Sequence, residues 1–209
     1  MATIAEYLGH GQPAGARLIM VHTRQLMEQA AGVPLPGWEI LRPVTQLRHL
    51  QKGGQIFAAG EWQPYVYVVF TGIVKLTYLE ADGAEWIKSF IGPGDFFASP
   101  QVLIAGQTTN YFAVAVTECE LEQVNYAPIQ QLCEQHSTWQ KAIRQLLERH
   151  IVRKEQRERE LLMLTPEDRY LSFLKTHPAM LDQLPLRDIA RYLGVTPEAL
   201  SRIRKRLRL

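Results

Sequence analysis

Apolar residues change their spacing along the chain, and each change predicts a different kind of element. Between residues 16 and 31, Leu18, Ile19, Val21, Leu26, Met27 and Ala30 fall loosely at helical spacing before Gly32 and Pro34, which predicts an amphipathic helix. From Thr45 to Asn125 the pattern shifts to short segments rich in Val, Ile, Phe, Tyr and Thr. These are punctuated by Gly53-Gly54, Gly60, Gly72, Asp82-Gly83, Gly92-Pro-Gly94 and Gly106. Short strands at that spacing predict an all-β unit, a barrel or jelly roll. Asp82-Gly83 lies between Lys75-Leu-Thr-Tyr-Leu79 and Trp86-Ile-Lys-Ser-Phe90. It predicts a hairpin closed by a type I′ turn, whose two central residues both need positive φ.

Pro128 opens a mainly helical remainder. From Trp139 to Leu164 neither Gly nor Pro interrupts the chain, which predicts one long helix. Ile143, Leu147 and Ile151 form a narrow apolar seam that yields to Lys154 and Glu158 before Leu161 and Leu162 restore it. A long helix with a narrow seam packs on a copy of itself or on its own domain, and the copy is the favoured reading. Two later helix starts share a spelling, Thr165-Pro-Glu-Asp168 and Thr196-Pro-Glu-Ala199. Thr caps orphan N–H groups, Pro at the first helical position forfeits no hydrogen bond, and an acid in the first turn suits the helix dipole.

The formal net charge of +2 conceals a division along the chain. Residues 1–138 carry 7 Lys and Arg against 12 Asp and Glu, whereas residues 139–209 carry 16 against 9. The stretch from Arg202 to Leu209 holds Arg202, Arg204, Lys205, Arg206 and Arg208 and no acid. Charge alone leaves a solvated face and a polyanion site equally open. Pattern separates them. Leu186, Ile189, Ala190 and Leu193 make one apolar stripe, Gly194 ends that helix, and Val195, Leu200, Ile203 and Leu207 make a second. This is a helix-turn-helix whose second helix leaves Glu198, Ser201, Arg202 and Lys205 on its free face. Arg can bond guanine O6 and N7 together, and Glu can accept from cytosine N4.

At this point the chain resembles the CRP/FNR family of bacterial regulators, from about residue 37 to the end. Gly94-Asp-Phe-Phe97, Gly106-Gln107 and Thr117-Glu-Cys-Glu-Leu121 are similar to the phosphate-cassette region of that family's cyclic-nucleotide-binding barrel. Thr165-Pro-Glu-Asp-Arg-Tyr-Leu-Ser-Phe-Leu174 and the stretch Ile189–Arg204 resemble a short-ended subgroup without a clear wing. The resemblance implies an α+β protein with four parts. These are an N-terminal helical extension (1–36), a jelly-roll sensor barrel (37–135), a dimerisation helix (136–164) and a helix-turn-helix domain (165–209). It implies a sequence-specific transcription regulator whose partners are double-stranded DNA, a second copy of the chain and RNA polymerase. Glu198 and Arg202 then occupy two of the family's three base-reading positions, while Pro197 stands where an Arg is usual and cannot read a base by hydrogen bonding. Thr196, Ser201, Lys205, Arg206 and Arg208 complete the expected DNA-binding set.

The effector pocket implied by the resemblance is degenerate. Where cyclic-nucleotide binders have a Gly-Glu-Leu for the ribose and an Arg-Ser for the phosphate, a gapless reading gives Ala98-Ser99-Pro100 and Thr109-Asn110 beside Phe97. The helix pair that meets the base becomes Lys154-Glu155. Charged hydrogen bonds contribute roughly 1.5–3 kcal/mol each, so losing the cationic partner predicts that cAMP does not bind tightly. No cofactor is expected. Cys119 and Cys133 have no neighbouring Cys or His, which predicts buried thiols rather than a disulfide or metal centre. His22 and His49 are lone histidines of the kind that serve surface or packing. The cupin-like alternative needs several His and a carboxylate inside the barrel, where only His49 falls, and no Walker, Gly-x-Ser-x-Gly or His-Glu-x-x-His motif occurs. An enzyme is therefore not expected. The competing reading is a protein-docking barrel with a weak DNA anchor. With no apolar run near the roughly 20 residues of a membrane span and no export signal at its start, the chain is expected in the cytoplasm.

Overall fold

The computed structural model describes residues 20–81 and 83–208. Helix α1 (Val21–Ala31) and the single turn α2 (Trp38–Leu41) lead into strands β1 (Thr45–Leu50), β2 (Gln55–Phe57), β3 (Tyr65–Thr71), β4 (Val74–Leu79), β5 (Glu85–Ile91) and β6 (Asp95–Phe97). The one-turn helix α3 (Pro100–Leu103) precedes β7 (Phe112–Ala115) and β8 (Cys119–Asn125). Helices α4 (Tyr126–Gln135), α5 (Ser137–Met163), α6 (Pro166–Thr176), α7 (Leu186–Leu193) and α8 (Pro197–Leu207) follow. Of the expected helix 16–31, the part before Met20 lies outside the described residues.

The strands form two antiparallel sheets of four, ordered β1-β8-β3-β6 and β2-β7-β4-β5, which is a jelly roll. Alternation along each strand supplies its core. Tyr67 and Val69 of β3 and Cys119 and Leu121 of β8 point between the sheets, where they meet Phe57, Val74, Leu76, Phe97, Tyr111, Ala113 and Ala115. The β4–β5 hairpin is present, but its turn differs from the expected one. Glu80 N–H donates to the Ala84 carbonyl, and Gly83 N–H donates back to Glu80 O with Gly83 at φ 88°. That is the longer connection in which one positive-φ glycine absorbs the extra residue.

The opposite face of β3 and β8 is covered by helices. Met27, Ala30 and Ala31 of α1 pack with Leu132 of α4, Trp139, Ala142 and Leu146 of α5, and Val124 of β8. The N-terminal helix is therefore part of this core. A carboxylate fixes its start: Glu122 of β8, fully buried, accepts from His22 N–H (3.2 Å), Thr23 N–H (2.7 Å) and Thr23 Oγ1 (2.5 Å). These donors belong to the first turn of α1, which has no partners within its own helix. Cys119 is buried as expected, whereas Cys133 is only half-buried, because it lies at the edge of the α4–α5 contact.

Candidate nucleic-acid interface

The head is built from locally specified pieces. Thr165 Oγ1 accepts from Asp168 N–H and Thr196 Oγ1 from Ala199 N–H, both at 3.2 Å, so the two Thr-Pro starts cap α6 and α8 as their sequence predicts. Gly194, at φ 70°, ends α7 with its N–H on the Ala190 and Arg191 carbonyls. Leu200 and Ile203 of α8 are buried against Ile189, Ala190 and Leu193 of α7. With its apolar side committed, α8 turns Glu198, Ser201, Arg202, Lys205 and Arg206 to solvent, and Arg208 beyond its end is exposed too. Thr196 is also exposed, although its hydroxyl is occupied as the cap, and Pro197 occupies the first turn. The Glu198 carboxyl is held below the usual carboxylate range by its own backbone N–H, then by Thr196, with Arg202 adding to the effect. It is therefore ionised and able only to accept. Arg206 is not fully available: its Nη2 lies 2.5 Å from Glu167 of α6.

The head is docked on the barrel, a contact that leaves only a faint trace in the sequence. Ile73, Ile87, Phe90 and Val116 from the outer side of the barrel share one core with Tyr170, Phe173, Leu184, Ile189, Tyr192 and Leu193. Beside it lies a buried ionic cluster. Lys75 of β4 contacts Glu85 of β5 at 2.7 Å and Asp188 of α7 at 3.3 Å, and Arg191 of α7 also contacts Glu85. Burial pushes the Glu85 carboxyl up, but Lys75 and Arg191 outweigh it and hold the group below its ordinary value. The only sequence signal for this joint is a Lys inside a β-segment and an Asp on the inward side of α7.

The residues of the degenerate pocket separate in space. Phe97, Ser99 and Thr109 are buried in the barrel wall, Ala98 is half-buried, and Pro100 and Asn110 are exposed. Thr109 is absorbed by backbone pairing: its N–H donates to Glu61 O and its carbonyl accepts from Gly60 N–H. The interior is filled by aromatic rings. Phe97 stacks on Tyr67 at 4.9 Å between centroids, and Phe57 lies 5.7 Å from Tyr67 and 5.5 Å from Tyr111. Tyr67 donates to Gln63 and Tyr111 to the Ala98 carbonyl, each at 2.8 Å. Lys154 stands apart from this wall on α5, half-buried. His22 stacks on Phe70 at 4.3 Å and His49 contacts Glu120 at 2.7 Å. Among the described residues no cluster of three metal-ligating side chains occurs, and no helix is long and apolar enough to cross a membrane.

A jelly-roll barrel joined by a long helix to a helix-turn-helix head defines a class of DNA-binding regulator, and known proteins agree. Residues 47–136 match the family described as cyclic nucleotide-binding domain. The nitrogen fixation regulation protein FixK of Azorhizobium caulinodans is 26% identical, covering 97% of this chain and 87% of its own. FixK of Rhizobium meliloti is 28% identical over 75% of this chain and 72% of its own. The structure of FixK2 from Bradyrhizobium japonicum superposes with a TM-score of 0.69 at 24% identity, covering 79% of this chain and 85% of that one. Over most of its length the chain is similar to transcriptional regulators of the CRP/FNR family. Regulators of this family are not enzymes and bind DNA as dimers.

Proposed function

We propose that the protein is a homodimeric, sequence-specific transcription regulator that reads its operator with Glu198 and Arg202 of α8 and does not respond to cAMP or cGMP. The observation that carries this reading is the free face of α8, where an ionised Glu198 and Arg202 stand one turn apart on a helix whose other side is buried. Ser201 shares that face, and Lys205 and Arg208 extend it for phosphate contact, with Arg206 divided between DNA and Glu167. Two-fold reading requires a second copy. An apolar groove along α4 and α5, lined by Tyr126, Cys133, Ile143, Leu147 and Ile151, supports α5 as the dimer surface. Half-sites then lie about 34 Å apart, one helical turn of DNA. Against cyclic nucleotides stand the exposed Asn110, the backbone-bound Thr109 and the aromatic fill of the barrel. RNA polymerase is the expected protein partner.

A randomised-site selection with the wild type and Arg202→Ala tests the reading. The variant should lose about 1–3 kcal/mol on the selected site and relax its preference at one base pair. An unchanged preference would overturn the assignment of α8. Sedimentation should give a dimer at micromolar concentration, and calorimetry should give no tight cAMP binding.

A further inference from the structure

The connection from α6 to α7, Pro178–Gln183, is wound as a 3₁₀ helix and lies against the rim of the barrel. Between the two is a crevice of about 340 Å³, half open to solvent. Gly72, Ile73, Gly92 and Pro93 line it from the barrel, and Met180 and Gln183 from the connection. Met180 bridges the crevice. Its side chain packs on the core that barrel and head share, and its methyl fills the space over Gly92 where a β-carbon would otherwise stand. Gly92 is not in the left-handed region, so the glycine supplies room for Met180 and not backbone freedom. The Met180 backbone is held as well. Its N–H donates to the His177 carbonyl and its own carbonyl accepts from Leu184 N–H, both at 3.1 Å.

A thioether in this position is both reachable and consequential. One water takes about 30 Å³ of liquid volume, so the crevice admits water and solutes the size of a peroxide to the sulfur. The other described methionines lack that combination. Met20 and Met27 are buried in the helical core, and Met163 is exposed at the end of α5 and packs on none of the cores.

We propose that Met180 is a site of reversible oxidation by hydroperoxides, and that its sulfoxide loosens the head from the barrel. The sulfur gives up two electrons and gains an S–O bond, the peroxide O–O bond breaks, and the second oxygen leaves as water. The product is polar where the thioether was apolar. Its oxygen meets glycine, proline and aliphatic carbon, together with an Asp95 carboxylate that can only accept. The Gln183 amide already donates to the Ala179 carbonyl at 3.2 Å. Hydrating the sulfoxide therefore turns the sulfur outward into the crevice, which withdraws the methyl from Gly92. This input reaches the head without passing through the barrel interior. Its effect at an operator rests on the reading of α8 as the DNA-reading helix.

The test uses the full chain, treated with hydrogen peroxide and followed by peptide mass spectrometry and hydrogen–deuterium exchange. Met163 and Met180 should gain an oxygen under conditions that spare Met20 and Met27. Exchange at the Met180 and Leu184 amides should rise about tenfold or more in step with oxidation of Met180, the order set by leaving one polar group unsatisfied. Methionine sulfoxide reductase should restore it. Met180→Leu, a volume-conserving swap, should keep exchange low in peroxide, whereas Met163→Leu should respond as the wild type does. Met180→Gln should raise exchange without any oxidant. Two results would overturn the proposal: a Met180 as resistant as Met27, or a Met180 sulfoxide with exchange unchanged. The wild-type readings decide even where a variant fails to fold. A gel shift on the same samples keeps DNA reading separate, since untreated protein that selects no DNA counts against the regulator alone while exchange still decides the oxidation site.

Discussion

The barrel interior and the outer face of α8 are opposite solutions to the use of a folded surface. In the barrel, Phe57, Tyr67, Phe97 and Tyr111 converge from distant parts of the chain and close the space with one another. On α8 the apolar residues are drawn to one side within a few turns, leaving Glu198, Ser201, Arg202 and Lys205 exposed on the other. The first region spends its side chains on stability and the second leaves them on the surface. Substitutions in the two regions should therefore be read out in different measurements.

The largest effect is expected inside the barrel. Phe57→Ala removes a ring that touches three others and should cost about 3–5 kcal/mol of stability, measured by urea denaturation. The folded fraction should keep its operator preference, and a changed preference would show that the two regions are not independent. Next is the joint between them. Asp188→Ala leaves the buried Lys75 short of one partner and should cost about 3 kcal/mol, since breaking a buried pair strands the remaining charge. The same joint has a pH signature. The folded-state value of Glu85 is depressed, so its contribution is present above the unfolded carboxylate range and is lost as pH falls through that range and below it. The urea midpoint should drop accordingly, and Glu85→Gln should flatten that part of the profile. The smallest effects lie on the head. Lys205→Ala should reduce the slope of log affinity against log salt by about one unit on every sequence alike. Arg206→Ala should reduce it less, because Glu167 already holds that guanidinium. Equal slopes for the two variants would remove Glu167 from the account.

Much of the head was legible because its determinants are local. The Thr165 and Thr196 caps, the Gly194 turn and the stripes of α7 and α8 each sit within one or two helical turns of sequence. The β-segment was legible as a texture, and its bounds at Thr45 and Asn125 coincide with the first and last strands. Relations across the chain were not legible. Tyr67 and Tyr111 read as ordinary strand residues, and only the pairing of the sheets shows that they fill the interior. Lys75 and Asp188 lie 113 positions apart, so no periodicity could bring them together. The hairpin turn was misread for a subtler reason: Asp-Gly suits both the two-residue turn and the longer one with a single left-handed glycine.

The carboxylate at the start of α1 sets an order of events during synthesis. Glu122 stands about 100 residues after the helix it caps. At roughly 5–20 residues per second, a ribosome delivers that acid on the order of 5–20 s after Thr23. Until then the first turn of α1 has only water for its N–H groups, and its apolar side lacks α5. The N-terminal helix is made first and docks late, so a nascent chain stalled before β8 should leave it open to protease although every residue of the helix has already been translated.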